Sequence, residues 1–158
     1  MGTLDELNAH IGAVRVTRPS EVLRKTQHDL FGIGAQLSTG EQYITKDDIT
    51  ILEEEIDKIE LSVKPLTEFI LPYHPNGVTE VHIARAVCRR AERCLIKWRA
   101  PSLLLSSDAQ ESLFTDCIIY LNRLSDYLFM FARQAAMGEE TWKKRGFIDM
   151  FGDVVMGY

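Results

Sequence analysis

The chain has 158 residues, 46% hydrophobic and 26% charged, a balance that suits one soluble globular domain and excludes a disordered or fibrous chain. Its net charge of -5 offers no general excess of basic groups, so a nucleic-acid partner is disfavoured and any local cluster of positive charge stands out. No signal peptide opens the chain, and the longest apolar run, around "LFMFA", is far too short to span a bilayer, so no membrane role is expected.

Helical periodicity dominates from the first residues onward. "TLDELNAHIGAVRV" reads as a helix opened by a capping box, Thr3 with Glu6, and repeats apolar residues at Leu4, Leu7, Ile11 and Val14. Pro19 and Ser20 mark a break before a second helix, "EVLRKTQHDLFGIGAQL". Gly32 and Gly34 fall inside it and predict a close helix contact. "GIGAQL" lacks the last glycine of a dinucleotide fingerprint and follows no strand. "STGEQY" is a loop, and Thr45 is the expected N-cap of a third helix, "KDDITILEEEIDKIELSV". Its first turn is acidic, as the helix dipole prefers. Ile49, Leu52, Ile56, Ile59 and Val63 form its inner stripe, and Pro65 lies near its end.

"FILPYHPNG" is a turn-rich connection with two prolines and a glycine. A fourth helix is expected from Val78 to about Trp98, then a loop, "RAPSLLLSS", then a fifth helix from about Asp108 to Met137. Around "YLFMFA" the fifth is apolar almost all round, which predicts burial by neighbours or by another subunit. Residues 138–158 form a tail to which no element is assigned. The expectation is all-α: a five-helix bundle, one domain over residues 1–158, with no internal repeat.

The three cysteines, Cys88, Cys94 and Cys117, are odd in number and lack C-x-x-C spacing, and read as reduced, mostly buried thiols rather than a zinc site. His82 reads as packed or capped, and His10, His28 and His74 have no ligand spacing.

The distinctive segment is "VHIARAVCRRAERC", with four arginines in the nine residues from Arg85 to Arg93. At 100° per residue, Arg85, Arg89 and Glu92 fall within about 60° of one another, while Val81, Cys88, Ala91, Leu95 and Trp98 can pack. Two arginines four apart suit a polyphosphate, because each guanidinium offers a planar pair of donors, and Glu92 can hold one of them in position. Spacing alone equally allows a solvated face of weak ion pairs, or a salt-bridge network at a subunit interface.

Read together, "GTLDELNAHIG", "QHDLFGIGAQL", "FILP", "HIARAVCRRAER" and "YLNRLSDYLFMFAR" resemble the PduO-type ATP:cob(I)alamin adenosyltransferases over roughly Gly2 to Arg133. The resemblance implies a five-helix bundle assembling as a homotrimer, with active sites between subunits. It implies transfer of the 5′-deoxyadenosyl group of ATP to the cobalt of reduced cobalamin, with Mg²⁺ on the phosphates and triphosphate released. Arg85 and Arg89 match the arginines at the ATP phosphates, and Asp5 matches an aspartate that pairs with the first of them across the subunit interface. Glu92 and Asn122 match residues of the nucleotide site. Phe69 matches the phenylalanine beneath the corrin ring, and Phe129 an aromatic residue of the corrin pocket. Catalysis is thus expected of Arg85, Asp5 and Phe69.

Each assignment has a plainer counterpart. Phe69 before a proline can plug the end of the bundle, Phe129 can be core, Asn122 can satisfy a backbone group, and Asp5 can serve its helix dipole. The resemblance also implies a flavoprotein reductase partner, from the need for reduced cobalt. The implied compartment is the cytoplasm, or the mitochondrial matrix in a eukaryote. Members of the family carry a glycine- and threonine-rich segment of the "TGDxGxT" kind ahead of the first helix, wrapping the triphosphate. It is expected upstream of Met1. A chain lacking it would instead be an ATP-binding-deficient homologue, or a non-enzymatic cobalamin carrier or chaperone that keeps Phe69 and Phe129. The "YHPNG" that follows "FILP" stands where the family has a glycine pair, which predicts a reshaped edge to the corrin pocket.

Overall fold

The computed structural model describes residues 2–102, 108–136 and 138–143. In them five helices follow in order: α1 (Gly2–Thr17), α2 (Glu21–Thr39), α3 (Lys46–Glu60), α4 (Val78–Ser102) and α5 (Asp108–Ala135). The fourth therefore continues beyond Trp98, the fifth stops before Met137, and Met137 lies outside the described residues.

Local chemistry accounts for most boundaries. Ser20 has an extended backbone and its hydroxyl accepts the Leu23 N–H, which starts α2, and Gly40 ends that helix in the left-handed region. Thr45 caps α3 as expected, and Asp48 returns the bond to the Thr45 N–H, completing a reciprocal box. Thr3 and Glu6 do not form the expected box. Helix α1 already begins at Gly2, so Thr3 has helical backbone and cannot serve as a cap, and Glu6 instead pairs with Arg90 of α4.

The apolar stripes meet in one core. Leu7, Ile11 and Val14 of α1 are fully buried, as are Ala84 and Cys88 of α4 and Leu121, Leu124 and Leu128 of α5. The main helix–helix contact is α4 against α5, with α1 packed on α4 and α3 on α5. Buried and half-buried polar side chains stitch the helices together. Asn8 donates to the Gln27 carbonyl at 3.0 Å, and Gln27 donates back to Asn8 Oδ1 at 2.8 Å. Gly12 leaves room for that exchange, since a Cβ there would stand 3.2 Å from Gln27 Nε2. The Tyr120 hydroxyl donates to Asp29 at 2.7 Å, while Lys25 spans Asp29 and Asp48 at 2.8 and 2.6 Å, joining α5, α2 and α3.

Gly32 does not admit a second helix. A Cβ there would lie 3.3 Å from Tyr43 Cβ, so the glycine makes room for the loop after α2. That loop is held by Gln36, whose Oε1 accepts the N–H groups of Tyr43 and Ile44 at 2.8 Å each.

The connection into α4 turns through Asn76 and Gly77, at φ 66° and 80°. It docks on the end of α1, where Arg18 Nε donates to the Asn76 carbonyl at 3.1 Å. The start of the tail has structure that periodicity did not reveal. Ile70 and Thr141 form an antiparallel bridge, in which Leu71 N–H donates to the Glu140 carbonyl and Trp142 N–H to the Phe69 carbonyl, both at 2.7 Å. Residues 144–158 lie outside the described residues.

Two stability predictions follow from these contacts. At Gly77 the left-handed backbone and the Thr17 hydroxyl, 2.3 Å from an added Cβ, both oppose a side chain. Gly77→Ala is expected to lower unfolding free energy by about 2 kcal/mol or more, measured by chemical denaturation. Burial works against the Asp48 carboxylate, yet the Lys25 ammonium and the bonds from Thr45 hold it below the ordinary carboxylate range. A depressed acid contributes stability above its unfolded pKa and loses it as pH falls through its folded one. Asp48→Asn should therefore cost about 1 kcal/mol near neutral pH. In melts at a series of pH values, that difference should shrink below about pH 4.

Candidate functional site

The seam between α4 and α5 brings most of the expected residues together. Ala84, Cys88 and Ala91 are buried on α4, and the Cys88 thiol meets α5 by donating to the Leu121 carbonyl at 3.2 Å. That contact places the next positions round α4 at its edge. Half-buried Arg85 lies over the ring of Phe129, with Cζ 5.1 Å from the ring centroid. Such an arrangement attracts a cation to the negative face of an aromatic ring. Phe129 itself is half-buried, so it is neither a sealed core residue nor a free surface one.

One and two turns further along α4 come Arg89, exposed, and Glu92, half-buried. Glu92 accepts from Asn122 Nδ2 at 2.9 Å, tying α4 to α5. The Asn122 side-chain oxygen, Oδ1, accepts in turn from Arg123 Nη2 at 2.6 Å, and Arg123 also pairs with Asp126 at 3.2 Å. Asn122 thus bonds side chains, not the backbone group that its plainer reading proposed. Arg123 and Asp126 were not singled out from the sequence. An Arg and Asp three apart on the face that carries Asn122, inside "NRLSD", were the available signal.

The charges at this seam are unbalanced. Burial pushes the Arg85 guanidinium below its ordinary value, and the like charge of Arg89 pushes it the same way, with Asp126 in partial opposition. Burial, and then Arg85, push His82, one turn earlier on α4, below its ordinary value, with Glu139 opposing. Two guanidinium groups that repel one another at the edge of an apolar contact form a site that gains from a bound polyanion.

Two expected residues lie apart from this cluster. Asp5 is exposed on α1, and among the described residues it makes no hydrogen bond or ion pair; within one chain the adjacent Glu6 crosses to α4, to Arg90. Phe69 is 81% exposed on the connection before α4, so it does not plug the bundle. A separate cavity of about 310 Å³, lined largely by apolar side chains including Leu4, Leu37, Leu95 and Trp98, involves none of the expected site residues. It lacks the convergent polar groups that a nucleotide needs. Among the described residues no helix is long and apolar enough to cross a membrane.

The Asn122 link is testable on its own. Asn122→Ala leaves the half-buried Glu92 and Arg123 without their shared partner and should cost about 1 kcal/mol. The readout is the denaturation midpoint, and an unchanged midpoint would show that the link contributes nothing to the seam.

Comparison with known proteins places the chain among adenosyltransferases. Residues 1–135 match the family model described as cobalamin adenosyltransferase. A cobalamin adenosyltransferase of Cupriavidus metallidurans is 37% identical over 140 residues, covering 84% of this chain and 71% of that protein. The human corrinoid adenosyltransferase MMAB is 38% identical over 161 residues, covering 91% of this chain and 60% of that protein. The corrinoid adenosyltransferase PduO of Salmonella typhimurium is 34% identical over 84% of this chain, which spans 40% of that longer protein. Among solved structures, a variant PduO-type ATP:corrinoid adenosyltransferase from Lactobacillus reuteri, complexed with cobalamin and ATP, superposes with a TM-score of 0.73. That match has 26% identity and covers 90% of this chain and 83% of the other. With its five helices, its arginine-bearing seam and a family match running from the first residue to the end of α5, this chain belongs to the cobalamin adenosyltransferase family.

Proposed function

We propose that this chain, as one helical domain, transfers the 5′-deoxyadenosyl group of ATP to the cobalt of cob(I)alamin, giving adenosylcobalamin and triphosphate. The observation that carries the proposal is the like-charged pair Arg85 and Arg89 at the α4–α5 seam, beside the aromatic ring of Phe129. A triphosphate would supply the missing negative charge, and an apolar macrocycle would suit the adjoining ring. Relatives named for this activity, and a structural neighbour complexed with both molecules, support the reading.

The reaction asks little acid–base chemistry of the protein. Reduced cobalt supplies the nucleophile; its electron pair forms the bond to the ribose C5′ as the C5′–O bond breaks, and the released pair leaves on the triphosphate. Arg85 and Arg89 bind and neutralise that leaving charge, which grows in the transition state. Glu92 and Asn122 hold the α4–α5 edge in register, so that the reacting carbon and the metal stay aligned. Mg²⁺ arrives with the nucleotide as part of the substrate, and no protein ligand is assigned to it.

Phe69, exposed and apolar, is assigned to the lower face of the corrin, where a phenyl group excludes an axial ligand without offering a lone pair. Asp5 is assigned to the Arg85 of a neighbouring subunit. Its lack of a partner among the described residues supports that role and a homotrimer with sites between subunits. A flavoprotein reductase as the source of reduced cobalt, and a cytoplasmic or matrix location, complete the proposal.

The test is conversion of chemically reduced cobalamin by the full chain with Mg-ATP, followed by absorbance. Arg85→Ala and Arg89→Ala are expected to lower turnover by about 100-fold or more. Both should keep the helical circular-dichroism signal, and both should lose the rise in melting temperature that ATP gives the unaltered chain. Turnover at the unaltered rate in either variant overturns the assignment. Cobalamin binding without conversion in the unaltered chain would point to a carrier.

A further inference from the structure

Phe69 has a mechanical problem. Its side chain is 81% exposed, so packing does not hold it, and it stands on a connection between α3 and α4 that has no helical ladder of its own. A residue that must exclude an axial ligand needs a fixed position, and among the described residues that rigidity has to come from the backbone.

The structure supplies that rigidity from the far end of the chain. The Phe69 carbonyl accepts the Trp142 N–H and the Leu71 N–H donates to Glu140, so the backbone on both sides of Ile70 is tied to residues 140–142. Those residues are anchored in turn by Arg133 at the end of α5. The Arg133 side chain is only 7% exposed, and its Nε donates to Glu139 at 2.8 Å. Its Nη2 donates to the carbonyl of Lys64, upstream of Phe69 on the same connection. One buried guanidinium thus holds the connection upstream of Phe69 and, through Glu139, the start of the segment that pairs with Phe69 itself. A charge-assisted bond to a largely buried carboxylate is among the stronger single anchors available. Lys143 with Glu68, at 3.1 Å and about half exposed, adds a weak outer contact.

We propose that Arg133, Glu139 and the backbone of residues 140–142 form a bracket that positions Phe69 for the corrin, with Arg133 and Glu139 as positioning residues that do not touch substrate. The inference rests on the assignment of Phe69 to the lower face of the ring. Release of the bracket leaves the nucleotide site intact, because Arg85, Arg89 and Asn122 belong to the α4–α5 seam and not to the connection.

The experiment compares Glu139→Gln, Trp142→Pro, Trp142→Ala and Phe69→Ala in the full chain. Trp142→Pro removes the N–H that the Phe69 carbonyl needs, and Trp142→Ala keeps it. The readouts are the fraction of four-coordinate cob(II)alamin with Mg-ATP by visible absorption, kcat, KM for ATP, and the ATP-induced rise in melting temperature. Glu139→Gln and Trp142→Pro are expected to lose most of the four-coordinate signal and about tenfold or more in kcat. KM for ATP and the ATP-induced thermal shift should stay within about twofold of the unaltered chain. Adding Glu139→Gln to Phe69→Ala should cost nothing further, since the bracket then has nothing to position.

Full four-coordinate signal in Glu139→Gln and Trp142→Pro, with the signal lost in Phe69→Ala, overturns the bracket and leaves the role of Phe69 standing. Equal losses in Trp142→Ala and Trp142→Pro overturn it as well, because the indole and not the N–H would then be responsible. An unaltered signal in Phe69→Ala overturns the assignment of Phe69 and the bracket with it.

Discussion

Everything at the candidate site depends on how α4 sits on α5. Ala84, Cys88 and Ala91 are small and buried on α4, and the two helices lie close enough for the Cys88 thiol to reach a backbone carbonyl of its neighbour. Small buried residues have a consequence for their neighbours. Longer side chains one position round the helix must then lie along the edge of the seam, which is where Arg85 meets the Phe129 ring. A bulkier stripe would hold the helices apart and let water between the guanidinium groups and the aromatic face. Partial burial is what makes those charges valuable, since an arginine already losing hydration gains more from an anion than one in bulk water does.

The two halves of the proposed chemistry rest on different kinds of structure. The polyphosphate half is built on helices, whose backbone ladders hold Arg85, Arg89, Glu92 and Asn122 without help from elsewhere. The apolar half stands on a connection between helices, where Phe69 has little packing and relies on backbone pairing with residues beyond α5. Rigid elements place groups that must act together at short range, whereas a connection can offer an exposed ring to a large flat ligand. The connection is not loose in consequence. Asn76 and Gly77 are pressed against the end of α1, and Arg133 grips the segment nearer α3.

Much of this was legible in the residues, and the parts that were not share one physical cause. The break at Pro19 and Ser20, the cap at Thr45, the stripe of Ile49, Leu52, Ile56 and Ile59 on α3 and the common face of Arg85, Arg89 and Glu92 are set within three or four residues of each other. Local periodicity reports them directly. The misreadings concern partners that are distant in the chain. Thr3 and Glu6 have the spacing of a cap, but the helix starts earlier and Glu6 pairs with Arg90, 84 residues away. Gly32 has the look of a helix-contact glycine and instead admits Tyr43 from the following loop. The pairing of Ile70 with Thr141 has no alternating pattern on either side, because so short a bridge needs only backbone groups.

The amino-acid sequence by itself determined the helical class, the five helices, the charged face of α4 and, through a set of motifs, the family to which the chain belongs. Those properties follow from side-chain period and local capping, which act without knowledge of the rest of the chain. Only the tertiary structure decided that Arg85 lies on Phe129, that Asn122 answers Glu92 and shares itself with Arg123, and that Asp5 finds no partner among the described residues. It alone set the start of the tail against the Phe69 connection. Those outcomes depend on which surfaces the helices present once their stripes are buried, and such geometry exists only after the core has closed.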